Sequence, residues 1–197
     1  MSASFKTKKY IAENLIQLSE KKRLCKISVV DLCRECDINR STFYYHFRDI
    51  KDVIQWIYHT EASIPVREGL VNNTDPKDTS FVTKHILNNL YSHQKFYVQA
   101  IKLEGQNSLE EYILKEAKEN WKILIDTRLA ASDTKSTDLS RDAYTLLKAA
   151  LDYYCYGHFI ITVNWMKRGM DIDPNKLAEL MDTVALQGFD EVMELFT

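Results

Sequence analysis

From Phe5 the apolar positions fall at Phe5, Ile11, Ala12, Leu15, Ile16 and Leu18, with Lys and Glu between them. That spacing is one stripe of an amphipathic helix, ending in the charged run Glu20–Arg23. Ser28 followed by Asp31 has the form of a capping box. The short helix it opens carries Val29, Leu32, Cys33 and Cys36 inward and stops near Asp37, a residue that tolerates the left-handed conformation. Asn39 is placed to cap a second short helix, Arg40 to Phe47. Asp49 is placed to cap a third and longer one, through Val53, Ile54, Trp56 and Ile57 towards Val71. The polar stretch Asn72–Thr79 reads as a linker.

Beyond it the pattern predicts helices over Phe81–Leu90 and Phe96–Leu103 and a longer one from Leu109 to about Ala131, with the polar segment Ser132–Asp138 as a break. A long apolar helix follows, ending at Trp165–Gly169, where cations in the last turn and a glycine beyond it mark a stop. Asp173-Pro174 restarts the chain as cap and first helical residue. In the final helix Leu177, Leu180, Met181, Val184, Gly188, Val192 and Leu195 form one apolar face. No strand and no internal repeat is visible, so the expected class is all-α.

Composition narrows this further. Only 5 Gly and 3 Pro in 197 residues argue against a turn-rich β protein. The longest run without a formal charge, Tyr153–Met166, is too short to cross a bilayer, which takes roughly 20 residues. No signal peptide is evident, and four cysteines without secretory context read as reduced thiols, so the expected location is the cytoplasm. The formal charge of −2 conceals an asymmetry: residues 1–58 hold eleven Lys or Arg against seven Asp or Glu. A basic amino-terminal segment on an acidic body suits a phosphate-facing module.

The segment Ile27–Phe47 carries the chemistry. Two short helices joined by a tight turn match a helix-turn-helix. At 100° per residue Phe43 and Phe47 share one side with Ile38 and Leu32, while Ser41 and Tyr45 point away and Thr42, Tyr44 and Arg48 flank them. The outer face then offers hydroxyls, phenols and a guanidinium without a carboxylate, which suits phosphate oxygens. Arg40 can reach a guanine edge or a phosphate. His46 lies nearer the core side, where a packing role competes with a DNA contact.

The stretch ISVVDLCRECDINRSTFYYHFRDIKDV resembles the DNA-binding signature of the TetR family of transcriptional regulators, its middle NRSTFYYHF following the recognition-helix consensus. The resemblance implies that Ser28, Arg40, Ser41, Thr42, Tyr44, Tyr45 and His46 contact double-stranded operator DNA. Asp37 replaces the usual turn glycine, Val30 stands where a polar residue is common, and Ile50 where a phosphate-anchoring lysine is common; Lys51 next door is the candidate to replace it. EGQNSLEEYI and WMKRGMDIDPNKLAELM are similar to the branch that includes activators of dihydroxyacetone kinase operons. The family architecture implies about nine helices: a three-helix head, 1–58, and a regulatory and dimerisation body, 59–197, whose last two helices pair with a second copy. Tyr153–Met166 is apolar around too much of its girth to be covered by one chain, and Gly188 would permit close approach by a partner.

Candidate effector residues in the body are Glu104, Asn107, Trp121, Tyr154 and His158, for a small molecule or a partner protein. Cys33-x-x-Cys36 lacks the further ligands that zinc needs and reads as core; no metal or cofactor is expected. No P-loop, H-E-x-x-H, G-x-S-x-G or dinucleotide fingerprint occurs, so no enzyme is expected. The competing reading is a helical ligand-binding or protein-interaction module with a degenerate DNA head, for which Val30 and Ile50 speak.

Overall fold

The structure, a computed structural model, describes residues 2–72, 80–131 and 140–193. The expected linker after Asn72 and the break at Ser132–Asp138 lie outside them. Helix α1 (Ala3–Lys21) is capped by Ser2, whose hydroxyl accepts from Phe5 N–H, and buries Ile11, Ala12 and Leu15. A 3₁₀ turn (Leu24–Lys26) leads to α2 (Val29–Glu35), where Ser28 and Asp31 close the expected capping box. Lys22 sits 2.8 Å from the Asp31 carboxylate, and with Ser28 it holds that carboxyl far below the usual range.

The turn after α2 follows from its hydrogen bonds. Asp37 is left-handed (φ 50°), Ile38 N–H donates to the Cys33 carbonyl, and Asp37 N–H donates to that of Arg34. This Schellman closure satisfies two carbonyls that the helix end would orphan, and an aspartate tolerates the left-handed step at modest strain. Asn39 then caps α3 (Arg40–His46) and Asp49 caps α4 (Ile50–Tyr58). Gly169 (φ 90°) makes the same closure after α9 (Arg141–Lys167), with Met170 N–H on the Trp165 carbonyl.

The third helix of the sequence reading is one rod with a defect. α4 passes through a π turn (His59–Ser63) into α5 (Ile64–Asn72) without a break. The cause is Pro65, which has no N–H for the Glu61 carbonyl four residues back and crowds it. The helix widens there. The freed carbonyl accepts instead from His85 Nε2, at 3.1 Å, on α6 (Ser80–Ser92). The body continues with α7 (Gln94–Ala100), α8 (Leu109–Ala131) and, after α9, α10 (Pro174–Met193), whose start is capped by Asp173 Oδ1. Counting the bent rod once, the described residues hold nine helices and no strand.

A single hydrophobic cluster runs from Leu15, Leu32 and Phe43 in the head through Ile57 and Ala62 to Phe96, Trp165 and Met181 in the body. The expected boundary at residue 58 therefore falls inside both a rod and a core. A smaller cluster joins Val66 and Leu70 to Leu124, Leu129 and Leu147. α10 packs on α6, and α8 on α9 and α5. None of the helices searched among the described residues is long and apolar enough to cross a membrane.

Candidate nucleic-acid interface and interior cavity

The reading face is set by what α3 buries. Phe43 and Phe47 are sealed in the core, in contact with each other, and Phe47 meets Trp56 edge-on. With that side fixed, Tyr45 is 81 % exposed, and Tyr44, Ser41 and Arg40 are exposed beside it. The Arg40 guanidinium lies 5.8 Å from the Tyr44 ring centre, a cation–π contact. Asn39 Oδ1 receives Thr42 N–H at 2.7 Å, the Ser41 hydroxyl at 2.7 Å and the Thr42 hydroxyl at 2.9 Å. An amide oxygen has two lone pairs for these three donors. A phosphate arriving at α3 can therefore draw a hydroxyl away at little cost.

The other expected DNA residues are more committed. The Ser28 hydroxyl is spent within its capping box, donating to Asp31 Oδ2 at 2.7 Å. His46 is half-buried, with Nδ1 3.4 Å from the Ser4 hydroxyl of α1 and its ring edge-on to Tyr45. Lys51, expected at a phosphate, instead spans from α4 to the α7–α8 loop, where Nζ donates to the carbonyls of Glu104 (2.8 Å) and Gln106 (3.0 Å). Gln55 reaches the Asn107 carbonyl of the same loop. Left-handed Gly105 and Asn107 turn these carbonyls towards the head.

That geometry separates two of the candidate effector residues from the interior cavity. Glu104 and Asn107 are exposed on this loop, beside the head, and neither lines the interior cavity. Trp121 and His158 do line it. Tyr154 stacks on Trp121 with ring centres 6.0 Å apart and faces the outer hollow between α9 and α10. Gly188 too is explained within the chain: a Cβ there would meet the Tyr154 hydroxyl at 2.8 Å. Close approach by a second copy is not needed to account for it.

The cavity lies between α4, α5, α6, α8, α9 and α10 and holds about 80 Å³. Its walls are mainly apolar, with Asp182, Thr83, Thr162, His158 and Asn120 as polar groups beside the rings of Tyr58 and Trp121. The Thr83 hydroxyl donates to Asp182 Oδ1 at 2.7 Å, whereas Asp182 Oδ2 is shut off from solvent with no donor among the described residues. Burial pushes the Asp182 carboxyl up and the His158 imidazolium down. His158 Nδ1 donates to the Tyr154 carbonyl at 3.0 Å, which leaves Nε2 as an acceptor.

Sequence reasoning missed the polar chain behind this wall. Arg67 Nε donates to Asn120 Oδ1 at 3.0 Å and Arg67 Nη2 to Glu116 Oε2 at 3.0 Å, which also receives His59 Nδ1 at 3.0 Å. Burial would raise the Glu116 carboxyl, but the neighbouring Ser63 hydroxyl, His59 and Arg67 outweigh it and hold it below its ordinary value. The signal was present: Glu116 and Asn120 fall on the stripe of Ile113, Ala117 and Leu124 that α8 buries. Cys33 and Cys36 are buried thiols, and no cluster of metal-ligating residues occurs among the described residues.

A capped, hydroxyl-rich helix on a helix-turn-helix, carried by a helical body with an interior cavity, defines a DNA-binding transcriptional regulator. The chain belongs to the TetR family: a family profile described as the transcriptional regulator C-terminal region, TetR_C_8, matches residues 77–187. The fold is similar to two solved structures. One is the dihydroxyacetone kinase operon activator DhaS, at 21% identity and TM-score 0.65, covering 92% of this chain and 95% of that one. The other is a protein from Syntrophomonas wolfei str. Goettingen described as a TetR-family transcriptional regulator, at 14% identity and TM-score 0.58, covering 90% and 92%. No curated protein matches the chain.

Proposed function

We propose that this TetR-type regulator binds operator DNA as a homodimer, reads it through Arg40, Ser41, Thr42, Tyr44 and Tyr45, and is controlled by a small molecule held in the body. Ser28 and His46 act at the edges of that face, Ser28 by setting α2 and His46 by bracing α3 on α1. Residues 1–58 form the reading head and 59–197 the body. The protein works in the cytoplasm and performs no catalysis.

The observation that carries the DNA reading is the open surface around Tyr45, held up by the buried Phe43. Dimerisation is supported by an apolar face on α9 and α10: Tyr153 (76 % exposed), Ile160, Ile161, Leu180 (59 %) and Val184 (72 %). Side chains this large and this contiguous call for a cover. A two-fold pair also supplies the two half-sites, about 34 Å apart, that one short reading helix needs.

Control by a ligand is supported by the cavity and by the polar chain that leaves it. Asn120 lines the cavity, and Arg67, Glu116 and His59 carry hydrogen bonds from it to the π turn that continues α4. A ligand that moves Asn120 thereby biases the rod on which the head is mounted. About 1–3 kcal/mol of differential affinity changes operator occupancy 5–150-fold. Sedimentation with duplexes selected from a random library tests the reading. Two subunits per duplex and affinity falling steeply with salt are expected; one subunit per duplex, or a flat salt response, contradicts it.

A further inference from the structure

The cavity wall carries both acceptors and donors, the donors being the Asn120 amide nitrogen, the Thr162 hydroxyl and the Trp121 indole N–H. Asp182 Oδ2 has no donor among the described residues, and His158, with Nδ1 given to its own helix, turns the acceptor Nε2 outward. The Thr83 hydroxyl is already donated to Asp182 Oδ1, and Asn120 Oδ1 already accepts from Arg67. An occupant that satisfies Asp182 Oδ2 must bring a hydrogen. It must also be mostly apolar, because Leu87, Ile113, Leu124 and Phe159 make the walls. A space of about 80 Å³ is roughly half of the ~150 Å³ that admits benzene, so the occupant is short.

A neutral alcohol would satisfy one acceptor and bring no charge to the buried carboxylate oxygen. An anion would be repelled. A primary ammonium supplies three donors and a positive charge, and Trp121 lies edge-on to His158 at 5.3 Å beside it as an aromatic wall for a cation. We propose that the cavity binds a short-chain primary amine in its ammonium form, with the charge on Asp182 Oδ2, one N–H on His158 Nε2 and the alkyl chain against Leu87 and Ile113. Burial raises the Asp182 carboxyl when the cavity has no cation. A bound ammonium reverses that by favouring the carboxylate. The inference deepens the ligand-controlled reading above and rests on it.

The test is isothermal calorimetry on the full chain at pH 7 with n-propylammonium chloride, set against 1-propanol and sodium propionate. A saturable heat is expected for the amine, binding about tenfold or more weaker for the alcohol, and none for the carboxylate. Asp182→Asn should bring the amine down to the level of the alcohol, and Ala117→Leu, which fills the cavity and spares the carboxylate, should abolish both. Circular-dichroism melts establish that each variant is folded. Equal binding of amine and alcohol overturns the proposal, as does amine binding that survives Asp182→Asn. Should Asp182→Asn not fold, undiminished amine binding in Ala117→Leu overturns it alone. DNA binding by the ligand-free protein is read in the same preparation. Intact DNA binding with silent calorimetry removes the amine and leaves the regulator; saturable amine binding with no DNA binding removes the regulator and leaves the cavity.

Discussion

Phe43 and Tyr45, two residues apart on one short helix, stand at opposite extremes: Phe43 is fully buried and Tyr45 is 81 % exposed. Their α-helical offset of about 200° makes this inevitable once the phenylalanine is committed to the core. Phe43→Ala should cost about 3–5 kcal/mol, the usual loss for truncating a buried aromatic. Tyr45→Ala should leave stability within about 0.5 kcal/mol and weaken DNA binding. Thermal melts and gel shifts on the two variants separate these outcomes.

Lys51 connects the head to the body through two loop carbonyls. Lys51→Met should lower stability by about 1 kcal/mol, the net value of a typical lost hydrogen bond. If this latch is its role, the salt dependence of DNA binding stays as it was. A slope reduced by about one would instead reveal a lost phosphate contact.

Glu116 gathers His59 and Arg67 at 3.0 Å each in a buried site. Glu116→Ala should cost about 1–3 kcal/mol, because it leaves half-buried Arg67 and His59 without their shared acceptor. The pH dependence has a definite sign. The folded carboxyl titrates below its ordinary 4.5, so its stabilisation is complete above that pH and disappears as pH falls through the folded value. Melts taken through that acid range should show a shallower fall for the variant than for the native chain.

The caps were legible because they are local. Ser28 with Asp31, Asn39, Asp49 and Asp173-Pro174 each announce a helix within four residues, and α8 begins and ends where periodicity put it. The faces of α3 followed from the same periodicity. What escaped was non-local. Lys51 meets carbonyls more than fifty residues away, Pro65 acts on a carbonyl whose new donor sits on another helix, and Tyr154 fills the space beside Gly188. Glu104 and Asn107 carry side chains fit for a ligand, but two left-handed residues turn their loop towards the head. Side-chain chemistry alone does not contain that direction.

Leu180 and Val184 project from the outer face of α10, next to Ile161 of α9. A double substitution, Ile161→Glu with Leu180→Glu, should leave the monomer folded, since both side chains are exposed. It should abolish dimerisation by placing unpaired charges in a dry seam. Light scattering on the purified variant checks this, and an unchanged dimer would move the interface elsewhere.

Regulation depends most on the face around Tyr45 meeting a duplex, and selection of bound fragments from random duplex DNA tests that most directly. The native chain should enrich a two-fold symmetric site with half-sites about one helical turn, ~10 base pairs, apart. Tyr45→Ala should enrich it weakly or not at all while melting at the native temperature. No enriched sequence from the native chain, or an identical enrichment from the variant, would contradict it.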